Sequence, residues 1–346
     1  MKKTTVYILV FLMILSSMSY SQKKQDTLYV AAWNIENLFD AIDDPDKRDE
    51  DFLPDGKKER SQEKIDKKID HLAEVIASMN NGNGPSILGV TEVEHQHLLD
   101  TMLVRHFGNK NYKITYAESP DKRGIDNGLI YDNEIFSLNY FDTLRVDLKS
   151  GYPTRYIFHV NLIHKNGTEI NLFVNHWPSR SGGEEKSRPN RAKAASVLKE
   201  KVDQLFIENE NCIIIALGDF NDEPDNKSIS EILDAKFFEY GEDLTESSLY
   251  NLSSKIFEEG EGTYLYRGDW NMLDQIIVSN GTISNDKFHY LCNSFELFKP
   301  NFMLTKSGKY KGAATPTFGG RKYLGGYSDH IPVGAKFIVN CNSVEK

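Results

Sequence analysis

Cysteine is scarce in this chain. Only Cys212, Cys292 and Cys341 occur among 346 residues, with no C-x-x-C and no Cys/His ligand spacing. A disulfide framework and a thiolate zinc site are therefore excluded as organising principles. Cys212 opens an apolar run and reads as a buried thiol, which leaves Cys292 and Cys341 as the one plausible pair. Basic charge is also in deficit, with 41 Lys and Arg against 51 Asp and Glu and a net charge of −10. Such a surface repels polyanions at long range, which argues against a nucleic-acid coat protein. It does not argue against an enzyme whose bound metal ions make a cleft locally positive. There is no G-x-S-x-G elbow, no H-E-x-x-H helix and no P-loop, so no familiar serine, zinc-peptidase or nucleotide-cradling motif is available. Repeats and low-complexity linkers are missing as well.

Long hydrophobic runs are confined to the start. Lys2 and Lys3 precede an apolar stretch from Val6 to Leu15, with small residues at Ser19 and Ser21. That stretch is short for a bilayer crossing and has the layout of an export signal. We expect cleavage after Ser21 and a single domain over 22–346. No Cys follows to carry a lipid anchor.

Leu28 to Trp33 reads as a strand ending at Asn34. An acidic stretch follows, with Asp40, Asp43, Asp44, Asp46, Asp49, Glu50, Asp51 and Asp55 broken by Pro45, Pro54 and Gly56. It reads as a solvated loop; a structural Ca²⁺ site is the alternative, although the spacing is not that of an EF-hand. Ser61 caps a helix whose apolar face is Ile65, Ile69, Leu72, Ile76 and Met79, closed by Asn80 to Pro85. Further strands are expected at 86–90, 127–131, 212–217, 272–279 and 331–339. Two alternating runs, 156–164 and 169–175, meet at Asn166-Gly167 as a hairpin. A second helix is expected from Pro189 to Phe206. This order describes one α/β domain with helices covering stacked sheets.

Polar residues gather at the strand ends: Asn34, Glu92, Asn175-His176, Asp219 with Asn221, Asp274, and Asp329-His330. Each alone is compatible with a turn or a solvated end. Six such positions suggest one catalytic rim on a rigid sheet. His95 and His97, beside Glu94, read as the start of a helix rather than as ligands. Arg123 and Arg180 read as surface arginines, with added charge near the substrate as the alternative.

With these strings in place the sequence resembles the endonuclease/exonuclease/phosphatase superfamily. The matching segments are WNIENLFD (33–40), GVTEVE (89–94), RGIDNGLIYD (123–132), NHWPSR (175–180), GDFND (218–222), WNMLDQIIVS (270–279) and GYSDHIPV (326–333). The resemblance implies a four-layer αββα sandwich of two mixed β-sheets face to face with helices outside. It also implies hydrolysis of a phosphodiester by direct water attack with Mg²⁺ or Mn²⁺, hard cations suited to oxygen ligands. Glu92 is implied as the principal ligand, with Asn34 and Asp329 beside it. His330, oriented by Asp274, is implied as the base, with Asp219 as a rival. His176 and Asn221 are implied as donors to the phosphoryl oxygens. Whether one or two ions bind stays open.

The Leu273-Asp274 step lacks the Cys-Asp-Arg string of the inositol polyphosphate phosphatases and is closer to the nuclease branches. An exported nuclease is thus the first expectation and nucleic acid the expected partner. A phosphatase or phospholipase C of sphingomyelinase or phosphoinositide type is the alternative. A non-catalytic binding protein ranks last, because Glu92, Asp219, Asp274 and His330 are all retained.

Overall fold

The computed structural model describes residues 24–241 and 243–341; the export segment expected at 1–21 lies outside them. The strands in chain order are β1 (Lys24–Leu38), β2 (Ile87–Val93), β3 (Tyr112–Ala117), β4 (Asp126–Asp132), β5 (Phe136–Leu144), β6 (Ile157–His164) and β7 (Glu169–His176). They continue as β8 (Ile214–Asp219), β9 (Ala235–Phe237), β10 (Leu249–Asn251), β11 (Tyr264–Tyr266), β12 (Asp269–Asn271) and β13 (Asp274–Ser279). The last are β14 (Phe288–Tyr290), β15 (Glu296–Leu297), β16 (Phe318–Gly319), β17 (Lys322–Tyr323) and β18 (Val333–Cys341). Three long helices accompany them: α1 (Gln62–Gly82), α2 (Gln96–His106) and α3 (Glu184–Glu208).

One sheet has the order β14-β18-β1-β2-β4-β3, with β15 on β18; the other runs β5-β6-β7-β8-β13-β10-β9. Both are mixed, since β1 pairs β2 in parallel and β18 antiparallel, while β7 pairs β8 in parallel and β6 antiparallel. Alternation along β1 shows the layering. Leu28, Val30 and Ala32 join Val160, Leu172, Val174, Leu217 and Ile276 between the sheets. Tyr29, Ala31 and Trp33 face the opposite way, onto Ile65, Ile69 and Leu72 of α1 and Leu98 and Leu99 of α2. Phe173, Ile214 and Ala216 face out of the second sheet onto Ala194, Leu198 and Val202 of α3. This is the αββα sandwich. The sheets pack closely at Gly89, where a Cβ would lie 2.1 Å from Leu217 Cδ1.

Several element ends differ from expectation. Strand β1 continues past Asn34 through a register shift, with Glu36 and Asn37 at φ of 53° and 50°. Helix α3 begins at Glu184 rather than Pro189. The missing amide of Pro189 is tolerated because side chains hold the first turn: Ser187 Oγ donates to Gly183 O, and Arg191 donates to Ser187 Oγ and Glu184 O. Helix α1 begins as expected, with Ser61 Oγ accepting from Lys64 N, and its helical dihedrals stop at Met79. The acidic stretch is not uniformly solvated, since Asp40 and Asp49 are buried. Cys292 carries a free thiol, so the expected pair is not made; the Cys341 side chain lies outside the description.

His159 on β6 is fully buried, stacks on Phe173 at 4.4 Å and meets Asn171 Oδ1 through Nε2 at 3.0 Å. Burial, opposed in part by that hydrogen bond, lowers its pKa from 6.5 to about 4. The unfolded chain takes up a proton that the folded chain refuses. This histidine's contribution is therefore complete above pH 6.5 and is lost as pH falls toward 4, a swing of about 3 kcal/mol. Urea unfolding at pH 7, 5.5 and 4 should show a shallower acid loss for His159→Gln than for the parent chain. Equal slopes would contradict this account.

Candidate active site

The strand ends of both sheets meet at one cavity of about 790 Å³, lined by Asn34, Glu92, His176, Asp219, Asn221, Asp329 and His330 among others. Backbone geometry delivers them. Glu92 has φ of 68° where the β2–β4 register shifts between Thr91 and Val93. Asp219 and His176 are register partners at the ends of β8 and β7, and Asp274 opens β13 opposite Asp219. Gly218 permits the close pairing: at φ of 121°, a Cβ there would sit 2.2 Å from Asn175 O.

His330 Nδ1 lies 2.7 Å from Asp274 Oδ2, a bond made behind the cavity wall. Its backbone is fixed independently, since Trp33 Nε1 donates to His330 O at 3.0 Å and His330 N donates to Ser328 Oγ. The Tyr264 ring stacks on its imidazole at 4.8 Å. Burial alone would lower the His330 pKa; the charges of Asp274, Asp329 and Asp219 overcome it and hold the group well above its ordinary value. His176 behaves oppositely. Burial first, then the positive charges of Arg155, Arg123 and His330, keep its pKa well down. Its Nε2 lies 3.6 Å from Asp219 and 3.8 Å from Glu92.

Asp219 is raised to about 6, by burial first and by the Asp274 charge, against the pull of His330. Its two oxygens accept from Asn34 Nδ2 at 3.1 Å and Asn221 N at 2.9 Å. Asn34 therefore bridges to Asp219, and its own oxygen accepts from Glu36 N. Only a second lone pair on that oxygen is left for a cation. Asn221 spends one amide hydrogen on Trp177 O, leaving the other for a ligand. Asp329 is raised to about 7 by burial and then by the charges of Glu36 and Glu92. Carboxylates crowded in this way fit a divalent cation between Glu92 and Asp329.

Two neighbours, Glu36 and Arg155, escaped sequence reading. Glu36 accepts from Thr317 N and Phe318 N and lies 3.8 Å from the buried Lys68. Its position two residues after Asn34 was the available signal. Arg155 donates to Trp177 O and Asp121 behind His176. Tyr264 contributes the stacking described above. Arg180 is no surface arginine: it holds Asn221 O, Asn271 Oδ1 and Asn226 Oδ1, each at 2.9 Å. Arg123, paired with Asp121, lies on the cavity wall.

The sequence matches the model of the Endonuclease/Exonuclease/phosphatase family over residues 29–338. The chain belongs to this family. Members of the family are hydrolytic phosphoesterases. No curated protein matches the chain in sequence. Similar solved structures include an endonuclease/exonuclease/phosphatase family protein of Bacteroides thetaiotaomicron, at 17% identity and TM-score 0.56, covering 92% of this chain and 100% of that one. The mannosyl-6-phosphatase of the same organism is 16% identical with TM-score 0.56, over 90% and 99%. D. rerio TDP2 complexed with a single-strand DNA product is 13% identical with TM-score 0.54, over 90% and 99%. At these identities the likeness is one of fold.

Proposed function

We propose that the chain is a divalent-metal-dependent phosphodiesterase acting on nucleic acid by direct attack of water. The observation that carries this reading is one cavity holding Glu92, His176, Asp219, Asn221, Asp329 and His330, with Asp274 bonded to His330 from behind. Glu92 and Asp329, with the remaining lone pair of Asn34, would hold the ion. When bound, the ion supplies charge neutralisation at the phosphoryl oxygens.

The chain's own groups do the rest. Asp274 fixes the His330 ring, so Nε2 is the nitrogen left for substrate. Asp219 and His330 handle the protons of water and leaving group. His176 and the free amide hydrogen of Asn221 are donors to the phosphoryl oxygens. Nucleic acid is favoured over a sugar phosphate or a lipid head group by the cavity walls. Tyr264 and Tyr266 stack on each other with Arg267 over Tyr266, and Arg123 lines the same cavity. Aromatic faces and guanidinium groups are the means by which bases and phosphates are held.

Plasmid DNA, RNA, sphingomyelin, phosphoinositides and a simple monoester assayed with Mg²⁺ should rank the nucleic acids first. Turnover of sphingomyelin or the monoester instead would reassign the substrate. Exhaustive chelation should abolish activity and Mg²⁺ or Mn²⁺ restore it; activity that survives chelation would remove the metal. We also propose export, with a mature amino terminus at Gln22, checked by N-terminal sequencing of secreted protein.

A further inference from the structure

The two features left over from the sequence, the acidic stretch and the His95/His97 pair, come together in space. Asp40 follows the end of β1 and Glu94 follows β2, while His95 is the N-cap of α2. Among the described residues, these three offer one ligand atom each, all within 4.8 Å of one another. None of them lines the active-site cavity. His97 Nε2 adds a second imidazole 3.2 Å from Asp40 Oδ2. Glu118 Oε1 lies 3.2 Å from His95 Nδ1, the carboxylate partner that orients ligating imidazoles.

A separate observation points to a missing cation. Asp49 is 1% exposed, and its Oδ1 has no hydrogen-bond partner. Its charge and that of Asp40 both bear on Glu94, against Arg60. Arg60 spends Nη1 on Asn37 O, and its Nε and Nη2 make no hydrogen bond. Asp40 and Glu94 are buried as well, and an unpaired buried charge is costly unless a cation neutralises it.

We propose that Asp40, Glu94 and His95, with His97 beside them, form a second cation site, separate from the catalytic one, that takes a divalent transition ion, zinc first. Imidazole with carboxylate is a zinc-type donor set, whereas Ca²⁺ takes six to eight oxygens and no nitrogen. The site bridges the end of β2, which carries the catalytic carboxylate Glu92, to the end of β1, which hydrogen-bonds it. Glu94 Oε2 accepts from Asp40 N, Glu94 N donates to Leu38 O, and Glu92 Oε2 accepts from Asn37 N. An ion there would clamp the 37–40 turn that holds Glu92.

The test is binding, not turnover. The full chain, stripped by chelator, is titrated with ZnCl₂ by calorimetry, with Co²⁺ absorption as a spectroscopic readout and Tm in parallel. Glu92→Gln weakens the catalytic site and should leave one ion bound, with a Co²⁺ spectrum showing nitrogen ligation. Asp40→Asn and His95→Gln should each lower affinity for that ion about 10–100-fold and remove its spectrum. They should also abolish a zinc-induced rise in Tm of about 2–5 °C. His95 makes no side-chain capping bond, so His95→Gln keeps the helix start if Asp40→Asn does not fold. Zinc affinity unchanged in folded His95→Gln, no ion bound to Glu92→Gln, or binding of Ca²⁺ but not Zn²⁺ would each overturn the assignment.

Discussion

Replacing His330 by alanine is expected to lower kcat by about 10²–10⁴-fold while the protein stays folded. The backbone of residue 330 does not depend on its own ring, because Trp33 Nε1 and Ser328 Oγ hold it from both sides. What disappears is the imidazole between Asp274 and the cavity, and with it the stacking face of Tyr264. Asp274→Asn should lose less, since the ring stays in place while its negative partner is gone. Activity is read as kcat on the best substrate of the panel, with circular dichroism and Tm confirming the fold. Near-normal kcat in folded His330→Ala would refute the proton-handling role.

Asp219→Asn is expected to cost about 10²–10³-fold in kcat with little change in KM. The isosteric amide fills the same volume but brings an NH₂ where both existing partners donate. Asn34 Nδ2 and Asn221 N each need an oxygen there. One of those bonds is therefore lost along with the charge that faces His176 and His330. The variant's pH–rate profile also separates the rivals. If Asp219 is the base, its acidic limb vanishes; if His330 is, that limb persists at reduced height. A folded variant with near-normal turnover would remove Asp219 from the chemistry.

Much of the architecture was legible because its signals are local. The 3–4 spacing from Ile65 to Met79 with Ser61 before it and the Asn166-Gly167 hairpin between two alternating runs each lie within one continuous stretch of the chain. The site was legible for a different reason: one polar strand end reads as a turn, but six in one chain, within strings that resemble a known family, do not. Long-range partners were not legible. Arg180 looks like any loop arginine until Asn221, Asn226 and Asn271, 41 to 91 positions away, close around it. Asp40 looks solvated until Glu94 after β2 and His97 of α2 close on it, and Asp49 looks solvated until the fold buries it. The start of α3 was misplaced because Pro189 signals a first turn, and only Ser187 and Arg191 folding back onto Gly183 and Glu184 show that one turn precedes it.

The amino-acid sequence by itself determined the two-sheet α/β class, the strand ends that bear chemistry and the acidic, imidazole and amide groups carried there. Hydrophobic periodicity and turn chemistry act over neighbouring residues, so they are written in the order of the chain. Which carboxylates share an environment, which asparagine is spent on Asp219, and which side of the 37–40 turn each of Glu92 and Glu94 faces were decided only by tertiary structure. Those outcomes depend on packing between segments far apart in sequence, where burial and neighbouring charge shift Asp219, Asp329, His176 and His330.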